Sequence, residues 1–248
     1  MFFNLYTMSI KKRDEDYTAD CIPTGALRNA RNKIEIEKDL IMANIEQAKR
    51  NRDYFKSHSI YVVNLLSSPG AGKTSILEAT LKNLDTKYGI YVIECDLQTF
   101  SDSKRIKSLG VECLQINTDN GGYLDAEMVY EAVQKMKIKR GSILFIENLG
   151  NLISPAIFDL GESLRVIVSS VTEGEDKPLK FPYMYETANL CLINKTDLLP
   201  HIRTRIDILR KNIQTINSTI LIMEISALTG ENIDEWCDFL LTKMKWTL

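Results

Sequence analysis

The strongest architectural constraint is an apolar run, Ile60–Leu66, that leads into Ser67-Ser68-Pro69-Gly70-Ala71-Gly72-Lys73-Thr74 and then into a helical pattern. A glycine-rich loop ending in Lys and a hydroxyl residue suits one setting, the turn between a buried strand and the N-terminus of a helix. Backbone N–H groups can close there on phosphate oxygens, and the helix end adds partial positive charge. Ser67 stands where the pattern G-x-x-x-x-G-K-[ST] has its first glycine. Gly70 and Gly72, with Ala71 between them, let the backbone approach an anion without a Cβ in the way. Lys73 is expected to reach the β- and γ-phosphates of a nucleotide. The Thr74 hydroxyl is expected to ligate Mg²⁺, with Ser75 beside it at the helix N-terminus.

A strand–loop–helix unit of this type needs partners, and the rest of the chain supplies them. Short apolar runs at Ile90–Ile93, Val111–Ile116, Ile143–Ile146, Arg165–Val171, Leu190–Ile193 and Thr219–Met223 read as buried strands. Helical patterns cover Thr74–Leu84, Leu124–Met136, Arg203–Asn212 and Ile233–Met244. The alternation predicts an α/β P-loop NTPase with a mainly parallel central sheet flanked by helices. Ligands of such sheets lie beyond the carboxyl ends of the strands. This domain is expected over residues 58–248, preceded by a loose arm at 1–25 and a helical extension at 26–57. In the extension, Leu27, Ile34, Ile36, Leu40, Ile41, Ile45 and Ala48 approximate a narrow apolar stripe that would pack on the core.

Composition narrows the classes. Among 248 residues the net charge of −2 gives no electrostatic reason to expect nucleic acid or an anionic membrane as partner. No apolar run approaches the roughly 20 residues of a membrane span. Lys11-Lys12-Arg13 follow rather than precede the apolar start, which argues against a secretory signal. The five cysteines are scattered and odd in number, as expected of reduced thiols in the cytoplasm.

Two later segments address the base. Strand Leu190–Ile193 runs into Asn194-Lys195-Thr196-Asp197, and strand Thr219–Met223 leads to Ser226-Ala227-Leu228. The Asp197 carboxylate can accept from the N1–H and exocyclic amine of guanine, a donor pair that adenine lacks. Asn194 can address the other edge of the base, and the Lys195 stem can cover its face. A backbone N–H of the 226–228 segment would meet the guanine carbonyl oxygen. Asn-Lys-Thr-Asp alone would also serve as a helix N-cap, but two such segments in order behind a phosphate loop point to GTP and GDP.

Acids end two strands: Glu147, before Asn148-Leu149-Gly150, and Asp96, after Glu94-Cys95. With Lys73 they are the candidate catalytic residues, and with Thr74 the candidate Mg²⁺ ligands. Which acid meets the metal and which positions the attacking water stays open. Gly150 is grouped with the nucleotide-binding residues. So is Lys177, in a charged segment, Thr172–Lys180, that reads as a mobile loop. Cys95 is the one thiol next to this cleft in sequence and a weak candidate for a transition-metal ligand; a small buried apolar side chain is the alternative.

Taken together, these motifs resemble the hydrogenase nickel-incorporation GTPase family (HypB), related to the urease accessory and cobalamin-synthesis GTPases. The resemblance covers about residues 27–245 and rests on Ser67–Thr74, Asp96-Leu97-Gln98-Thr99, Gln115–Thr118, Leu124-Asp125-Ala126, Phe145–Leu152 and, most specifically, Ser170–Lys180. It implies slow GTP hydrolysis, a GTP-dependent homodimer, and movement of nickel toward a hydrogenase precursor, the partner being that metalloenzyme precursor or a second maturation factor. It also implies a Cys-His pair before Leu-Asp-Ala and a Cys before the next proline, donors suited to nickel or zinc. Here those positions are Gly122-Tyr123 and Ser154. The leading expectation is therefore a GTP-hydrolysing accessory protein of metallochaperone type. A GTPase serving another metalloenzyme without holding metal itself, and a nucleotide-dependent protein-binding module, are the alternatives. A small-metabolite kinase ranks last, because it leaves Asn194 and Asp197 without a role.

Overall fold

The computed structural model describes residues 24–84, 88–96, 101–118, 122–151 and 153–247. The expected arm, with Cys21, lies outside the described residues except at its last two positions, as do 97–99 and 152 of the family motifs. The described residues open with helix α1 (Thr24–Ser57), followed by β1 (Ile60–Ser67), α2 (Lys73–Asn83), β2 (Gly89–Asp96), α3 (Ser101–Lys107), β3 (Glu112–Asn117) and α4 (Ala126–Met136). Then come β4 (Ser142–Gly150), α5 (Ser154–Ile157), β5 (Leu164–Ser170), α6 (Lys177–Lys180), α7 (Pro182–Glu186), β6 (Leu190–Asn194), α8 (Ile206–Ile216), β7 (Leu221–Glu224) and α9 (Ile233–Thr247). The seven strands form one sheet in the order β3-β2-β4-β1-β5-β6-β7, every pair parallel. All seven expected strands and all four expected helices of the 58–248 region are present; α3 and the short α5, α6 and α7 were not anticipated.

Parallel strands covered on both faces need continuous apolar sequence, and β1 is buried at every position. It lies at the centre, with β4 on one side and β5 on the other, so the loop after it opens between two directions of winding. Alternation along the strands separates two faces. Val63, Val92 and Phe145 point toward α2 and α9, where Trp236 donates from Nε1 to Thr80 Oγ1 at 2.9 Å. Val62, Ile93, Cys95, Leu144 and Ile146 belong to the opposite layer, with Val129 and Val133 of α4 and Phe55 of α1.

The contacts divide the chain inside α1, into 1–43 and 44–248, whereas the expected boundary stood at the end of that helix. Within the larger unit, the buried face of α1 is Asn44, Gln47, Ala48, Asn51 and Phe55. Of the expected apolar stripe, Ala48 is buried on this face and Ile45 is half exposed, at 50%. Carboxamides add to the docking. Asn44 accepts from Ala126 N at 2.9 Å and donates to Asp159 O at 2.9 Å, while Asn51 donates to Ala126 O at 2.7 Å and to Leu160 O at 3.1 Å. Gly161, at φ +85°, lets the chain pass so near α1 that a Cβ there would lie 2.6 Å from Ala48 O.

Candidate nucleotide site and its family

Local sequence explains the phosphate end. Gly72 is the N-cap of α2 with φ 103° and ψ 28°, a conformation closed to most side chains. A Cβ there would also lie 2.4 Å from Asn194 Nδ2. The buried Lys73 ammonium donates to Ser67 Oγ at 2.8 Å, and Ser67 Oγ donates to Ser68 O at 2.5 Å. The serine in the first-glycine position thus anchors the loop lysine. Thr74 Oγ1 donates to Glu147 Oε1 at 2.6 Å, so two of the three expected Mg²⁺ donors, one from α2 and one from β4, converge. Hydroxyl and carboxylate oxygens are the donor set that Mg²⁺ takes. Gly150, at the end of β4, packs so that a Cβ would sit 3.4 Å from Pro69 N and Cα.

Asp96 ends β2 half-buried, in register with Asn117 of β3. Alternation puts it, with Glu94, on the face that Glu147 shares with α2. Cys95 points the other way, into the layer under α4, and burial pushes its thiol up to about 12. Its place beside Asp96 in the chain does not bring it to the nucleotide face. Among the described residues there is no group of three or more His, Cys, Asp or Glu placed to hold a metal ion. Tyr123, at one of the positions where the family resemblance implies a ligand, stacks on Phe158 with ring centres 4.6 Å apart. His58 stacks on Tyr54, and His201 is exposed after the Asn-Lys-Thr-Asp segment.

Asn194 joins the two halves of the site. Its buried amide donates to Ala71 O at 3.0 Å and accepts from Ala227 N at 3.1 Å, tying the phosphate loop to both base segments. Lys195, at φ 66°, reaches back to donate to Gly70 O at 2.7 Å. Ser226 Oγ donates to Asp197 Oδ1 at 2.5 Å and fixes the carboxylate meant for the base. A cavity of about 570 Å³ brings together Gly72, Ser75, Asn194, Lys195, Asp197, Ala227 and Leu228. Its other wall is Ser75, Glu78, Ala79 and Lys82 of α2. Of these only Ser75 was anticipated, although the spacing of three and four from it marks one helix face.

The segment Thr172–Lys180 is not an irregular loop. Ser170 caps a 3₁₀ turn, Val171–Glu173, in which the Glu173 side chain accepts from Ser170 N at 3.0 Å, and α6 follows. The Lys177 ammonium pairs with Glu173, whose carboxylate also accepts from Ser68 Oγ of the phosphate loop. Lys177 is therefore at the rim of the loop. The pairing with Glu173 carried no signal in the sequence beyond the spacing of four.

The sequence model of the CobW/HypB/UreG nucleotide-binding domain matches residues 61–224, from the second residue of β1 to the last of β7. The hydrogenase maturation factor HypB of Rhizobium leguminosarum bv. viciae is 46% identical over 201 residues, 81% of this chain and 67% of that protein. HypB of Azotobacter vinelandii is likewise 46% identical over 203 residues, 82% of this chain and 67% of that protein. The crystal structure of HypB from Helicobacter pylori in complex with nickel superposes with a TM-score of 0.78 at 31% identity, covering 82% of this chain and 95% of that one. With the loop, the strand-end acid and the base segments in these places, the chain belongs to the CobW/HypB/UreG family and, within it, to the HypB hydrogenase-maturation GTPases.

Proposed function

We propose that this chain binds GTP with Mg²⁺ between the phosphate loop and the 194–197 and 226–228 segments, hydrolyses it, and uses the cycle to mature a nickel hydrogenase. The observation that carries the reading is the Asn194 amide, which couples Ala71 of the phosphate cradle to Ala227 of the base segment. Backbone N–H groups of the loop and Lys73 hold the β- and γ-phosphates. Asp197, fixed by Ser226, accepts from the guanine edge, and Lys195 covers the ring. Thr74 and Glu147 would hold the magnesium, and Asp96 lies on the same face of the sheet. When bound, magnesium would supply positive charge against the phosphates. Water then displaces GDP from the γ-phosphorus while Lys73 and the cradle stabilise the developing charge.

The same reading makes GTP binding drive homodimerisation, with a hydrogenase precursor or a second maturation factor as client. Nickel is the cargo. Because Gly122 and Tyr123 replace donors that the family resemblance implies, and Tyr123 is engaged with Phe158, the cargo is carried by a partner while this chain supplies the nucleotide-driven step. The test is GTP turnover of the purified chain against Lys73→Ala, with nickel titrated in the presence of a GTP analogue or GDP. Turnover no higher than the Lys73→Ala control would sink the GTPase reading. Tight, nucleotide-dependent nickel binding would overturn the assignment of the cargo to a partner.

A further inference from the structure

Lys177 and Lys73 are both tied to the phosphate loop, but by different means. Lys73 donates directly to Ser67 Oγ at 2.8 Å. Lys177 is tied to the next residue, Ser68, through a carboxylate: Glu173 Oε1 accepts from both the Lys177 ammonium and the Ser68 hydroxyl. Strand register explains the proximity, because Ser67 of β1 is paired with Val168 of β5, two residues before the Ser170 cap. The other carboxylate oxygen, Oε2, accepts from Ser170 N at 3.0 Å, so Glu173 is held at both oxygens. Glu173 and Lys177 side chains are only 14% and 12% exposed.

From this geometry we infer that Glu173 is a positioning residue for hydrolysis, which holds the Lys177 ammonium beside the phosphate loop for the charge that develops on the terminal phosphate. The inference rests on the GTPase reading above. A lysine is a point charge on a flexible four-carbon stem, and fixing it costs rotamer entropy. Two further anchors on one carboxylate make that cost part of the folded protein, so the charge need not be ordered during the reaction. Neutralised by Glu173, Lys177 adds little to the binding of GTP in its ground state. Its contribution grows as charge shifts in the transition state, so loss of Glu173 lowers kcat and leaves KM nearly unchanged.

The experiment is a double-mutant cycle of Glu173→Gln and Lys177→Gln, with steady-state GTP turnover and equilibrium binding of a non-hydrolysable GTP analogue, both in Mg²⁺. Each single variant is expected to lose about 30-fold in kcat, the scale of a misplaced charged group. Analogue affinity stays within about twofold, and the double variant is no slower than either single one. A merely structural role for Glu173 predicts the opposite, a further fall in the Lys177→Gln background and weakened analogue binding. That result, or kcat within about twofold of wild type in Glu173→Gln, overturns the inference. If Glu173→Gln does not fold, Ser68→Ala removes one anchor without touching charge and is expected to lose about threefold in kcat at unchanged KM; unchanged kcat there also overturns it. Wild-type turnover no higher than Lys73→Ala is a separate outcome, which overturns the GTPase reading and the inference with it.

Discussion

Replacing Gly72 with alanine asks how rigidly the two halves of the nucleotide site are joined. The new Cβ would lie 2.4 Å from Asn194 Nδ2, and the backbone there has φ +103°. The backbone alone costs an alanine about 1–2 kcal/mol. Asn194 cannot simply swing away, because its amide is buried and holds Ala71 O at 3.0 Å and Ala227 N at 3.1 Å. Displacing it breaks two buried hydrogen bonds, a further ~2–4 kcal/mol. The expected total is about 3–6 kcal/mol, a large share of the ~5–15 kcal/mol that holds a domain together. Urea unfolding measures it, as a lower midpoint at unchanged slope. The decisive comparison is the same substitution in an Asn194→Ala background, where the clash is gone and only the backbone part, about 1–2 kcal/mol, should remain. Equal losses in the two backgrounds would refute the reasoning, since Asn194 would then not be the obstacle.

Three other perturbations follow from the same geometry. Asp197→Ala should weaken GDP binding by about 10–100-fold, the worth of hydrogen bonds to a charged acceptor, with ATP binding unmoved; competition with a fluorescent guanine nucleotide reads both, and parallel losses would count against base recognition there. Asn51→Ala should cost about 2–4 kcal/mol in unfolding free energy, because it strands the buried carbonyls of Ala126 and Leu160; a change under about 0.5 kcal/mol would mean that α1 is not seated by its carboxamides. The described cysteines are all buried, and burial pushes Cys95, Cys113 and Cys237 up to about 12 from an ordinary 9.0. The unfolded chain therefore ionises these thiols first as pH rises, so their contribution to stability is level below pH 9 and falls from about 9 toward 12; a fall in Tm over that window that is just as steep in variants lacking these thiols one by one as in the wild type would contradict it.

How much of this was legible follows from what each residue depends on. The phosphate loop and Asn194–Asp197 are local patterns, so Lys73, Thr74 and Asp197 are candidates on spacing alone. Glu147 could be named as well, because a buried run that ends in an acid places that acid at the mouth of a parallel sheet. Cys95 was misplaced because nearness in sequence is the wrong measure in a strand: neighbours point to opposite faces, and Cys95 falls in the layer under α4. In α1 the eye follows apolar residues, yet Asn44, Gln47, Asn51 and Phe55 repeat at three and four and bury the face. That amide stripe is visible in the sequence, but its partners, the backbone groups of Ala126, Asp159 and Leu160, are 75 to 115 residues away. The Glu173 bridge was illegible for a related reason, since the register of β1 and β5 brings Ser68 to it from 105 residues upstream.

The order in which these parts occur along the chain matters while the protein is being made. The phosphate cradle is complete by Ser75, but Asn194, Asp197 and Ser226 arrive in the last quarter of the 248 residues. β6, next to β5 in the sheet, carries Asn194, and the 226–230 turn after β7 closes the cavity. On the proposed reading, a polypeptide still emerging from the ribosome thus carries the phosphate loop before the residues that would choose a base. Selectivity for guanine is, on the same reading, gained late, when the final strands add to the sheet edge, so a product truncated before β7 is expected to bind anions without discriminating between bases.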